Sequence, residues 1–198
     1  PSIVINCIGI VKHHPESNNP LVSIPINSIL PHKLKLLCRL INAKLIQIST
    51  DCVFSGQKGN YTEFDISDAN DLYGRSKYLG EIYDESSITI RTSVIGHELN
   101  TSRGLLNWFL SQKNNVNGFK NAFFSGLTTN ELARVIDEYI LPNKGITGLY
   151  HISGDYIDKY QLLTVIKEVY KKEIEIVEDT EFSINRTLDS SKFRKETG

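Results

Sequence analysis

Short apolar runs of strand length alternate with longer segments of helical periodicity along this chain, and that alternation restricts the fold more than any other feature. Ile3-Val4-Ile5-Asn6-Cys7-Ile8 is a continuous apolar run, the pattern of a parallel strand covered on both faces. His13 to Pro25 is polar and turn-rich. Asn27 to Ala43 then repeats apolar residues at helical spacing through Leu30, Leu34, Leu37, Leu40 and Ile41. Leu45 to Ser49 is again a strand. Strand, helix, strand of this length is one βαβ unit with an expected right-handed crossover.

The pattern continues. Tyr73 to Glu85 reads as a helix, Ile88 to Thr92 as a strand, Gly104 to Gln112 and Asn130 to Leu141 as helices, and Gly148 to Ser153 as a strand. Tyr160 to Lys171 is an amphipathic helix and Glu173 to Val177 a strand. Alternating elements of this kind predict an α/β fold with a doubly wound parallel sheet. The 198 residues suffice for one such domain with a small added lobe. A net charge of −1 and 23% charged residues give no sign of a nucleic-acid or anionic-membrane partner. No apolar run approaches the roughly 20 residues that span a bilayer. Cys7, Cys38 and Cys52 are odd in number and widely spaced, which predicts buried thiols in a reducing compartment rather than a disulfide framework or a zinc site. His13 and His14 have no third ligand at metal spacing, so no metal site is expected.

The chemistry-bearing segment is Tyr73-Gly74-Arg75-Ser76-Lys77. Residues four apart share one face of a helix. A free phenol titrates near pH 10, and a nearby ammonium lowers that value. Tyr-x-x-x-Lys is therefore a sensible acid–base unit for carbonyl reduction. Upstream, Ser49-Thr50-Asp51 closes a predicted parallel strand. Ligands of open α/β sheets bind beyond that end of the strands, so Thr50 or Ser49 is placed to hydrogen-bond a substrate oxygen. The structural alternative is that Thr50 or Asp51 caps the next turn.

Together these motifs resemble the extended short-chain dehydrogenase/reductase family, and within it the dTDP-4-dehydrorhamnose reductases. The likeness also runs through Val4-Ile5-Asn6-Cys7, Asn27, Ser49 to Phe54, Tyr61-Thr62-Glu63, Tyr73 to Glu81, Arg91-Thr92-Ser93 and Phe124 to Ala133. The resemblance implies an incomplete doubly wound sheet of the NAD(P)-binding Rossmann type with a small C-terminal substrate lobe. Residues 1–93 would be the later part of the dinucleotide-binding domain with the catalytic helix. Residues 94–198 would be mostly substrate lobe, with 130–153 returning a helix and a strand to the sheet.

The implied reaction is reduction by NADPH or NADH of the 4-keto group of a nucleotide-linked 6-deoxyhexose, in dTDP-rhamnose or related cell-surface polysaccharide biosynthesis. Tyr73 would donate the proton, Lys77 would tune Tyr73 and hold the nicotinamide ribose, and Thr50 would share the reacting oxygen. Cys7, Ile8 and Gly9 would lie beside the cofactor, while Asp51 and Val94 would contact the sugar nucleotide. Cys52 stands where relatives carry an aromatic residue, and Val94 where they carry a tryptophan, so the substrate packing implied at Val94 differs from theirs. Arg186 resembles a C-terminal loop residue that reaches a nucleotide diphosphate; a surface salt bridge is the alternative. Trp108 and Phe109 fit either the pocket wall or the core. The resemblance also implies a cytoplasmic location, and it is compatible with a homodimer.

The glycine-rich phosphate turn of this family has no counterpart in the chain. The chain also has no methionine and reads as a core strand from Ile3. These features imply a fragment of a longer reductase, expected to bind dinucleotide poorly, to be inactive alone and to leave a sheet edge uncovered. Two other readings remain: a non-catalytic relative that binds a sugar nucleotide or a partner, and an epimerase or dehydratase on the same scaffold.

Overall fold

The computed structural model describes residues 1–198. In chain order its elements are β1 (Ile3–Asn6), α1 (Pro20–Ser23), α2 (Leu30–Leu40), β2 (Lys44–Thr50), α3 (Leu72–Leu79), β3 (Ser87–Thr92), β4 (Val94–Ile95) and α4 (Leu105–Ser111). There follow β5 (Val116–Phe124), β6 (Leu127–Thr128), α5 (Thr129–Val135), β7 (Gly148–His151), β8 (Ile157–Asp158), α6 (Lys159–Val169), β9 (Ile176–Asn185) and α7 (Ser191–Thr197). Four strands form a parallel sheet in the order β1-β2-β3-β7. The α/β class and the parallel sheet expected from the alternation are present.

Helices cover both faces of this sheet. On one face Ile46, Ile88, Ile90 and Tyr150 pack with Leu132, Val135, Ile136 and Ile140 from the α5 region and with Phe193 of α7. On the other, Leu45 and Ala43 pack with Cys38 of α2 and with Ile82. Continuous burial on both faces explains why these strands read as unbroken apolar runs. β1 is an edge strand, and beside it Ile5, Ile8, Leu36, Leu37, Leu40 and Ile41 are exposed. No helix is long and apolar enough to cross a membrane.

The second half departs from the simple alternation. A three-stranded sheet, order β8-β5-β9, has β8 antiparallel and β9 parallel to β5. The nine-residue β5 is not predicted by the periodicity, because its sequence Val-Asn-Gly-Phe-Lys-Asn-Ala-Phe-Phe mixes polar and apolar residues on a half-exposed sheet. The strand expected at Glu173 to Val177 begins at Ile176 and runs on to Asn185. Glu178, Thr180, Glu181 and Ser183 are exposed and polar, so the apolar count stops too early. A separate core of Leu106, Phe109, Val116, Leu163, Ile166 and Ile174 supports this lobe.

Two helices also differ from their sequence periodicity. The segment expected to begin at Asn27 starts at Pro20 and passes through a π-helical stretch, Ile24–Ile29, before α2. Pro25 and Pro31 each remove a helical N–H, and the hydrogen-bond ladder widens between them. α3 ends at Leu79, six residues short of Glu85, with Gly80 as its C-cap. Gly80 packs directly on the Asn27 carbonyl. A Cβ at Gly80 would strike the Asn27 carbonyl and come 3.1 Å from Pro31 Cγ. Gly80→Ala is therefore expected to destabilise the fold by about 1–3 kcal/mol, as overpacking does, read as a lower urea midpoint. An unchanged midpoint would show that this approach is not tight.

Candidate active site

The strand pleat decides which hydroxyl faces the site. Successive residues of a strand point to opposite faces. Ser49 points away and donates to Glu81 Oε1 at 2.6 Å. Thr50, at the carboxyl end of β2, is buried and faces the Tyr73 phenol. Thr50 also caps the following turn, its Oγ1 accepting from Cys52 N–H at 3.1 Å. The capping role the sequence offers is thus filled by Thr50, and Ser49 is engaged by Glu81 instead.

α3 carries Tyr73 and Lys77 into this corner. Asp71 caps the helix by accepting from Gly74 N–H at 2.7 Å, and Lys12 pairs with the same carboxylate at 2.7 Å. Gly74 lets the helix lie against the turn after Thr50, because a Cβ there would run into the Cys52 carbonyl. Burial holds the Tyr73 phenol above its ordinary pKa, and neighbouring Cys52 and the Asp51 and Asp71 carboxylates add to this against the hydrogen-bonding Thr50 hydroxyl. The phenol is thus protonated at neutral pH. The net shift is upward, so burial outweighs the lowering expected from Lys77.

Lys77 is buried, and its ammonium donates to the Ile48 carbonyl at 2.7 Å. Burial lowers its pKa to about 8, with Glu81 and Cys7 opposing the shift. An unfolded lysine titrates near 10.4. Between about pH 8 and 10.4 the unfolded chain therefore binds more protons, and stability gains from rising pH. Below that window both states hold the proton, and the fold carries the full cost of burying the ammonium. Relative to Lys77→Met, the parent chain should gain stability from pH 7 to pH 10. Urea unfolding of both at the two pH values checks this, and a constant difference would contradict it.

The segment after β1 borders Lys77. A Cβ at Gly9 would lie 3.6 Å from Lys77 Nζ and 3.3 Å from Asn27 Oδ1. Asn27 fixes this segment by accepting from Ile10 N–H at 2.8 Å and donating to Ile10 O at 3.0 Å, and it also donates to Ser76 Oγ at 3.1 Å. Asn6 joins in, donating to Gln47 Oε1 at 2.7 Å while accepting from Ile8 N–H at 3.1 Å. Cys7 and Ile8 are left exposed. The Cys7-Ile8-Gly9 backbone thus lies beside the Lys77 ammonium.

On the opposite flank lie Asp51, Arg186 and Lys159. Asp51 is raised above its usual value by burial, against hydrogen bonds from Thr50 and Cys52 and the charges of Arg186 and Lys159. Arg186 makes no salt bridge; its Nε donates to the Phe54 carbonyl at 2.7 Å. Val94 is half exposed and pairs with Leu127. Phe109 is fully buried in the lobe core, whereas Trp108 is at the surface. Phe109 is therefore a core residue.

Sequence reasoning passed over two features. One is Lys159, which lacks any motif spacing and comes near Asp51 only through the second sheet. The other is a buried polar cluster beneath the site. Arg91 Nε and Nη2 donate to the two Glu81 oxygens at 2.9 and 2.8 Å, with side chains 3% and 0% exposed. Tyr83 also donates to Glu81. His151 lies 3.4 Å from Arg91 Nη1 and donates from Nδ1 to the Tyr61 carbonyl at 3.0 Å. Burial first, then Arg91, lowers its pKa to about 4, so it stays neutral.

A parallel sheet that brings a strand-end hydroxyl against a Tyr-x-x-x-Lys helix defines the scaffold of a short-chain dehydrogenase/reductase. Residues 1–187 match the RmlD substrate binding domain, and the chain belongs to that family. It is 30% identical over 176 residues to the spore coat polysaccharide biosynthesis protein SpsK of Bacillus subtilis (strain 168), a match covering 85% of this chain and 61% of that protein. It is 33% identical over 82 residues to a dTDP-4-dehydrorhamnose reductase of Streptomyces griseus, 41% of this chain and 27% of that one. The matches thus span between about a quarter and three-fifths of these relatives' lengths. Among solved structures, a hypothetical dTDP-4-dehydrorhamnose reductase from Sulfolobus tokodaii superposes with a TM-score of 0.84 at 28% identity, over 98% of this chain and 73% of that one. A Bacillus anthracis dTDP-4-dehydrorhamnose reductase in complex with NADP gives 0.85 at 20% identity, over 99% and 74%, a likeness of fold.

Proposed function

We propose that this chain carries the catalytic and substrate-binding part of an NAD(P)H-dependent reductase acting on the 4-keto group of a nucleotide-linked 6-deoxyhexose, as in dTDP-rhamnose or related polysaccharide biosynthesis. The supporting observation is the meeting of Thr50, Tyr73 and Lys77 at the carboxyl end of β2, from segments 23 residues apart in sequence. The family and the names of its relatives agree with this reading.

A bound NADPH or NADH supplies the hydride. Cys7, Ile8 and Gly9 would hold the nicotinamide end, and Lys77, beside Gly9, would bind the ribose hydroxyls. Thr50 and Tyr73 bind the reacting carbonyl oxygen from two directions. Their hydrogen bonds tighten as charge builds on that oxygen, so they stabilise the transition state more than the ground state. Tyr73 then delivers its proton to the oxygen. Lys77, a cation below about pH 8, steadies the phenolate that remains. Asp51 and Val94 flank the sugar, and Arg186 lies towards the nucleotide. The reading implies a cytoplasmic protein, and the exposed apolar face of α2 is compatible with a homodimer.

Thr50→Val keeps the shape and removes the hydroxyl. In the protein as its gene encodes it, this change should slow NADPH oxidation with dTDP-4-dehydrorhamnose by about 10²-fold, the scale of losing one transition-state donor. An unaltered rate would remove Thr50 from the mechanism.

A further inference from the structure

Two side-chain bonds tie the catalytic helix to the strand that ends at Thr50, and they fall on neighbouring residues of that strand. Lys77 Nζ donates to the Ile48 carbonyl at 2.7 Å. Further along the chain, Glu81 follows the Gly80 C-cap of α3 and accepts from Ser49 Oγ at 2.6 Å. β2 is therefore gripped at the residue immediately before Thr50. The other donors to Glu81 are Arg91 Nε at 2.9 Å, Arg91 Nη2 at 2.8 Å and the Tyr83 hydroxyl. Among all these donors, Ser49 is the one that lies on β2.

The sheet register explains why this carboxylate can fix a strand end. Ser49 is the cross-strand neighbour of Arg91, and Arg91 is that of His151. A buried polar row thus crosses β2, β3 and β7 in the last rung before Thr50 pairs with Thr92. Glu81 joins the first two members of the row, and His151 lies 3.4 Å from Arg91 Nη1. Bonds from Ser49, Tyr83 and both Arg91 nitrogens use the acceptor sites of the two carboxylate oxygens, so the group is held from every side. A hydroxyl bond to a carboxylate is short and strong, and the fixed carboxylate passes its position to Ser49. Thr50 is the next residue of the same strand.

We propose that Ser49 is a positioning residue for carbonyl reduction: its bond to Glu81 sets where the Thr50 hydroxyl stands relative to the Tyr73 phenol. This rests on the reductase reading above. Ser49 points away from the reacting groups and acts through Thr50. The catalytic helix thereby aligns its own partner, because the chain that carries Tyr73 and Lys77 also carries the carboxylate that holds the end of β2.

The test is a kinetic cycle on the gene-encoded protein, comparing the parent with Ser49→Ala, Thr50→Val and the double variant in NADPH oxidation with dTDP-4-dehydrorhamnose. Ser49→Ala should lower kcat about tenfold, less than the roughly 10²-fold cost of an ångström's misplacement. The KM for the sugar nucleotide should stay at the parent value, as for an interaction that matters in the transition state alone. In the Thr50→Val background the same change should cost almost nothing, because the hydroxyl that Ser49 positions is already gone. The urea midpoint of Ser49→Ala should remain near that of the parent, since Arg91 and Tyr83 still engage Glu81. Losses that multiply in the double variant would refute the proposal and leave the Ser49–Glu81 bond a purely structural one. Parent-like kcat in Ser49→Ala would also refute it, while the reductase reading would stand. A parent protein without turnover would overturn that reading and the role of Ser49 with it.

Discussion

Replacing Tyr73 with phenylalanine will slow carbonyl reduction by about 10²–10⁴-fold, the range associated with a positioned general acid. The change deletes one oxygen and leaves the ring, so packing against the turn after Thr50 is kept. Tyr73 is partly buried and its phenol lies above its ordinary pKa. It begins each cycle protonated at neutral pH, and its loss removes the donor rather than shifting a titration. The defect should therefore persist from pH 6 to 8. Affinity for dTDP and the urea midpoint should match the parent. Steady-state NADPH oxidation with the gene-encoded protein provides the comparison. Parent-like turnover by Tyr73→Phe would mean that the proton comes from another group.

The second large effect is on stability. Arg91→Ala or Glu81→Ala should each cost about 3–5 kcal/mol, because each leaves a buried charge unpaired. The pair lies under the sheet end with side chains 3% and 0% exposed. Glu81 also accepts from Ser49 at 2.6 Å, and the Arg91 guanidinium centre lies 5.0 Å from the Phe54 ring centroid. Ser49 adjoins Thr50, and Phe54 supplies the carbonyl that holds Arg186. The cluster thus supports both flanks of the site from below. The double variant Arg91→Met/Glu81→Leu should cost much less than the sum of the single changes, since no orphan charge remains. Urea unfolding of the four proteins completes the cycle. Additive costs would show that the two groups do not act as a pair.

Much of the four-stranded sheet and its helices was legible because the rules there are local. Apolar runs buried on both faces, a helix of correct length between them and a four-residue Tyr–Lys spacing are all readable along one segment. What stayed hidden depends on partners distant in sequence. The close approach of Gly80 to the Asn27 carbonyl joins segments more than 50 residues apart in sequence. β5 is half polar because one face meets solvent. The choice of Thr50 over Ser49 required the pleat and the buried Glu81 that engages Ser49. Lys159 sits more than 100 residues from Asp51 in sequence and meets it only because β8 pairs with β5. The lowering of the Tyr73 pKa that the motif suggests is also not a local property. Lys77 spends its ammonium on the Ile48 carbonyl, and burial controls the phenol.

The most direct measurement of the central claim follows a labelled hydride. The gene-encoded protein is incubated with cofactor deuterated at the transferable C4 position of the nicotinamide and with dTDP-4-dehydrorhamnose, and the sugar product is analysed by mass spectrometry and NMR. The account predicts one deuterium per turnover, placed on the sugar C4, in the parent and at a rate lowered about 10²–10⁴-fold in Tyr73→Phe. Tight binding of dTDP with no deuterium on the sugar would contradict it and would establish a binding protein on a reductase scaffold.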